Sequence, residues 1–177
     1  MTDAIDQATH RSAADAVARF IARADVLLGR FPAALVQLVL RFTVALPFWR
    51  SGLTKWDGFL ELSDGAVFLF QEEFRLHILG STYPFPFPTA VAFVAGCVEI
   101  VLPILLVLGL GTRFAALGLL VMTGVIQLTV PDGWATYHLP WAAMLLALVA
   151  YGAGKVSLDH WIGARRMKAA ADRSGPA

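Results

Sequence analysis

Apolar and polar positions change their spacing several times along the chain, and each change predicts an element. Val17, Phe20, Ile21, Ala24, Leu27, Leu28 and Phe31 recur at helical spacing, with Arg19, Arg23 and Arg30 between them. This predicts an amphipathic helix over 12–31, opened by a capping box of Ser12 and Asp15. Its arginines suit anionic headgroups, so it is expected to lie on a membrane face; docking on a partner domain is the alternative. Four apolar runs follow: Ala33–Thr54, Pro88–Leu110, Arg113–Val130, and a shorter one from near His138 to Gly152–Gly154. Each approaches the ~20 residues that carry a helix across a bilayer. Between Pro88 and Leu110 only Glu99 carries a charge.

The predicted fold is therefore all-α, an integral membrane four-helix bundle with an amphipathic N-terminal helix and a short helix in the outer loop. Three regions are expected: an interfacial helix over 1–32, a membrane domain over 33–154, and a basic tail over 155–177. The loop from Lys55 to Phe87 exceeds a simple hairpin, and residues 66–76 predict a short helix over the outer mouth of the bundle. Tyr83-Pro84-Phe85-Pro86-Phe87-Pro88 predicts an extended aromatic strap, because each proline disfavours helix at the residue before it. Ser157 is the expected N-cap of a last helix bearing Trp161.

Composition agrees: 58% of the 177 residues are hydrophobic and 15% charged, too apolar for a soluble domain of this size. The net charge of +1 is uninformative, but its distribution is not. Arg11, Arg19, Arg23 and Arg30 precede the first run, Arg113 separates the second and third, and Lys155, Arg165, Arg166, Lys168 and Arg173 follow the fourth. On the other side Lys55 and Arg75 face Asp57, Glu61, Asp64, Glu72 and Glu73. The positive-inside bias puts both termini in the cytoplasm. The tail's cations suit lipid headgroups better than nucleic acid. The first thirty residues lack the apolar core and small-residue site expected of a signal peptide. The single cysteine, Cys97, allows no intramolecular disulfide and reads as a small buried residue.

The candidate chemistry lies in the few polar groups at membrane depth. Counting from the inner ends of their spans puts Arg41 about 12 Å deep and Glu99 about 15 Å deep at 1.5 Å per residue, so the two are expected to meet. Two readings of Glu99 follow: a structural clasp with Arg41 that fixes helix register, or part of a proton, metal or quinol site. A second group, Arg50, Lys55, Gln127, Asp132, Trp134 and His138, gathers toward the outer face. Arg50 and Lys55 at a helix end can also simply snorkel. His138 is either a proton carrier or weak metal ligand, or a hydrogen-bonded structural residue. No second histidine stands at ligand spacing, and no phosphate-binding loop, nucleophile elbow or HExxH motif occurs.

Trp49-Arg50-Ser51-Gly52 with Lys55, Glu99, Leu108-Gly109-Leu110-Gly111-Thr112-Arg113-Phe114-Ala115-Ala116, and Gly154-Lys155-Val156-Ser157-Leu158-Asp159 resemble the DoxX family of small membrane proteins over residues 35–162. Glu72-Glu73, Glu99 with Pro103, and Val130-Pro131-Asp132-Gly133-Trp134-Ala135-Thr136-Tyr137-His138-Leu139 resemble its HvfX-type branch, from which the chain departs around Gly133–Tyr137. The branch resemblance implies a bacterial inner-membrane accessory protein for maturation or export of a copper-binding modified peptide (a RiPP), or for metal stress, with that peptide and its maturation proteins as partners. Other DoxX relatives are tied to thiosulfate:quinone oxidoreduction or oxidative stress. Three functions stay open: a non-enzymatic membrane partner, a quinone-binding subunit of an oxidoreductase, and a small transporter that works as a homo-oligomer. Quinone and copper are the ligands these imply.

Overall fold

The computed structural model describes residues 17–173. Ser12 and Asp15, the expected capping box, lie outside them, as does Arg11. Residues 17–28 form helix α1 (numbered here in chain order), which belongs to a unit of its own. Phe20, Ile21, Leu27 and Leu28 are exposed on it.

The rest forms a second, mostly helical unit. Helix α2 runs Ala33–Leu53, α4 Pro88–Leu108, α5 Thr112–Thr129, α6 Leu139–Tyr151 and α7 Leu158–Arg173. Three of them, α2, α4 and α5, are long and apolar enough to cross a membrane. Helix α6 has thirteen residues, preceded by a π-helical turn at Trp134–His138. Val44 and Phe48 of α2, Leu106 of α4, Ala116 and Leu119 of α5, and Leu145 and Leu148 of α6 share one core.

The segment between α2 and α4 departs from expectation. It holds two small antiparallel hairpins, β1 (Trp56–Gly58) with β2 (Glu61–Leu62), and β3 (Arg75–Ile78) with β4 (Ser81–Pro84). Between them helix α3 (Asp64–Phe68) opens on Ser63, whose Oγ accepts the Ala66 N–H at 3.2 Å, and continues as a π-helical turn over Leu69–Glu73. The expected helix over 66–76 thus starts earlier and stops at Glu73; Arg75 and Leu76 are strand. The strap is extended through Pro84 in β4, as expected, but Phe87 is left-handed (φ 50°) immediately before Pro88 opens α4, so its last residues depart from the extended form.

This segment fills a gap that α2 leaves. A Cβ on Gly52 would lie 3.0 Å from the backbone of Glu99, so the last turn of α2 packs against the middle of α4. The α3 segment packs along the remaining half of α4, and β3 packs on α5. Trp56 lies so close to Gly96 that a Cβ there would be 2.6 Å from its ring, and it meets Phe93 edge-on at 5.3 Å.

At the opposite end the α4–α5 turn is locked by backbone caps. Gly109 (φ +68°) and Gly111 (φ +57°) take left-handed conformations that suit glycine. The Gly109 and Leu110 N–H groups return to the Leu106 and Leu105 carbonyls. The Asp159 carboxylate accepts the Gly111 and Thr112 N–H groups at 2.8 and 3.0 Å, capping α5 from another helix. Ser157 accepts the His160 N–H at 3.2 Å, the expected N-cap of α7. Asp159→Ala leaves two α5 donors without their carboxylate and is expected to cost about 1–2 kcal/mol. Chemical unfolding in detergent would measure it.

Candidate functional site

The expected Arg41–Glu99 pair does not form. Arg41 is fully buried at the turn end, where Nη1 donates to the Leu106 and Val107 carbonyls at 3.4 Å and Nη2 to the Val156 carbonyl at 2.5 Å. The depth count assumed that α2 and α4 end level. They do not, because Gly52 packs at Glu99, and the carboxylate meets the far end of α2 instead.

That end carries Lys55. Its ammonium lies 2.5 Å from Glu99 Oε2, with the two side chains 11% and 3% exposed. Lys55 Nζ also donates to Ser51 Oγ at 3.0 Å and to the Ser51 carbonyl at 3.3 Å, which uses all three of its protons. Ser63 holds the Lys55 backbone from the other side: its N–H donates to the Lys55 carbonyl at 2.9 Å and its hydroxyl to the Thr54 carbonyl at 3.0 Å. The second carboxylate oxygen of Glu99 takes no hydrogen bond among the described residues, and Ser51 keeps a hydroxyl proton to donate.

Ser51, Lys55 and Glu99 form the polar floor of a cavity of about 360 Å³ whose other walls are apolar apart from Thr129. Phe48, Phe70, Phe74, Phe85 and Trp141 contribute rings, and Val98, Met122 and Ile126 aliphatic walls. Phe70 meets Phe74 edge-on at 5.2 Å and Phe85 in a tilted contact at 5.5 Å. A π-helical turn leads to Phe74, and such turns often mark functional sites.

The other candidates divide. His138 is buried, and its Nδ1 donates to Gln127 Oε1 at 2.6 Å while Gln127 Nε2 donates to the Pro131 carbonyl. Its ring packs so tightly on Gly133 that a Cβ there would be 2.6 Å away. Trp141, 5.5 Å from that ring, stands between His138 and the cavity it lines. Arg50, Asp132 and Trp134 are exposed, and no side-chain hydrogen bond joins them to Lys55 or His138 among the described residues. No group of three His, Cys, Asp or Glu side chains gathers there either.

Ser51, Phe70, Phe74, Phe85 and Trp141 were not singled out as site residues from the sequence. Ser51 was findable, since it precedes Lys55 by four positions and so shares its helical face. The phenylalanines were not, because only the fold of the long loop turns them inward.

The DoxX family model matches residues 36–132, which contain Ser51, Lys55 and Glu99. The chain belongs to the DoxX family. An uncharacterized protein of Haemophilus influenzae is 35% identical over 140 residues, covering 71% of this chain and 82% of its own. No solved structure matches. A DoxX protein with these apolar helices is a membrane protein. Among the residues carrying the family resemblance, Gly109, Gly111, Thr112, Ser157 and Asp159 build the turn-end lock, while Ser51, Lys55 and Glu99 build the cavity floor.

Proposed function

We propose that this DoxX protein holds a quinol-type lipid in the cavity, as the quinone-interacting membrane subunit of an oxidoreductase. The observation that carries the reading is the unused acceptor on Glu99 beside the Ser51 hydroxyl, at the floor of an aromatic cavity. A quinol hydroxyl would donate to that carboxylate oxygen, and its flat ring would stack among Phe70, Phe74 and Trp141. In this reading α2, α4, α5 and an α6 extended by its π-helical turn are four spans of a bacterial inner-membrane bundle. Arg113, Lys155, Arg165 and Arg166 at the turn end support cytoplasmic termini.

Titrating the detergent-purified protein anaerobically with decyl-ubiquinol, the reduced form that carries the donor hydroxyl, is expected to quench tryptophan fluorescence saturably, through Trp141. Glu99→Gln should weaken binding about tenfold or more, the worth of a charge-assisted hydrogen bond. Quenching that rises linearly, identical in Glu99→Gln, would refute the reading. The HvfX-type role in copper-peptide maturation rests on resemblance alone. Stoichiometric copper or a modified peptide co-purifying in place of quinone would favour it instead.

A further inference from the structure

We infer that the cavity is loaded sideways from the bilayer through a portal beside Val94, and that its ligand is therefore a lipid whose chain stays in the membrane. The inference rests on the quinol reading for the ligand's head but not for the route. Val94 lines the cavity and is also 59% exposed. It heads an exposed stripe on α4 with Val101, Ile104 and Leu108, spaced so that the four share one helix face. In a helix of this length and apolarity that face meets lipid tails. The cavity wall is thus continuous with the lipid-facing surface. Toward the hairpins the cavity is covered: Phe70 and Phe85 are each only 8% exposed and lie ring against ring, with Phe74 against Phe70. A head held by Glu99 and Ser51 would leave its chain lying across Val94.

The route can be read without quinone. In nanodiscs containing a phospholipid with a terminal diazirine, photolysis should label Val98 and Met122 inside the cavity as well as Val101 on the outer face. Val94→Trp should remove the inner labels and spare Val101. Labels confined to the Val101 face in the unsubstituted protein would overturn the portal, whatever the ligand.

The ligand's tail is read with two reduced compounds, decyl-ubiquinol and the tail-less 2,3-dimethoxy-5-methylhydroquinone. Val94→Trp should weaken the tailed compound about tenfold and leave the tail-less one within about twofold. Equal affinities for the tailed compound before and after substitution would defeat the inference. Failure of both compounds to bind the unsubstituted protein would defeat the quinol reading, with the portal still decided by the labels. Val94 is an exposed side chain, so an unchanged unfolding midpoint should accompany Val94→Trp; if that variant unfolds, Val94→Phe replaces it in both measurements.

Discussion

Lys55→Ala is expected to destabilise the protein by about 3–5 kcal/mol, among the largest effects of any single substitution in the cavity. The substitution leaves the Glu99 carboxylate, 3% exposed, without its cation in an apolar surrounding. Lone buried carboxylates are costly. The loss is therefore due less to the attraction removed than to the charge left behind. That distinction is testable. A Lys55→Met, Glu99→Gln double variant removes both charges and should recover most of the stability, while failing to bind a quinol head. Unfolding by sodium dodecyl sulfate in mixed micelles would measure all three proteins. If the double variant is as unstable as Lys55→Ala, the pair holds the fold together directly and the cavity floor is structural.

The sequence made the helices legible and their relative heights illegible. The runs beginning at Ala33, Pro88 and Arg113 became helices within a few residues of their expected ends, because nothing else can satisfy twenty apolar residues' backbone groups in lipid. Register between them is set by which small residue meets which backbone. Gly52 against Glu99 is such a contact, and hydropathy carries no trace of it. The error over Arg41 followed from that alone. Glu99 was correctly singled out as a buried polar group and given the wrong cation. The hairpins were hidden for another reason. Their strands have two to four residues, and their tips lack the Asn-Gly or Asp-Gly signature. Leu60 turns the first at φ 58°, and Leu79 with Gly80 turns the second at φ 51° and 82°, a conformation that leucine seldom adopts. The short loop helix was visible, but not that it would carry Phe70 and Phe74 onto the cavity.

Arg41→Ala should cost about 3–5 kcal/mol as well, by a different mechanism. Among the described residues no carboxylate bonds to Arg41; its guanidinium gathers carbonyls from two places, the last turn of α4 at Leu106 and Val107 and the segment before α7 at Val156. Carbonyls at a helix C-terminus carry partial negative charge, so a cation placed there stabilises the helix while joining it to a second element. Lysine keeps the charge but cannot spread planar donors over three acceptors, so Arg41→Lys should recover only about half of the loss. Gly109 tests the same lock from the other side. A Cβ there would press on both the Arg41 guanidinium and Ser157, at a φ of +68° that alanine resists. Gly109→Ala is therefore expected to cost about 2 kcal/mol or more, beyond what left-handed strain alone accounts for. In the Arg41→Ala background the clash with the guanidinium is gone, and the added cost of Gly109→Ala should shrink by about 1 kcal/mol. Strict additivity of the two substitutions would mean that the guanidinium and the glycine turn act independently, and the turn-end lock would not be one unit.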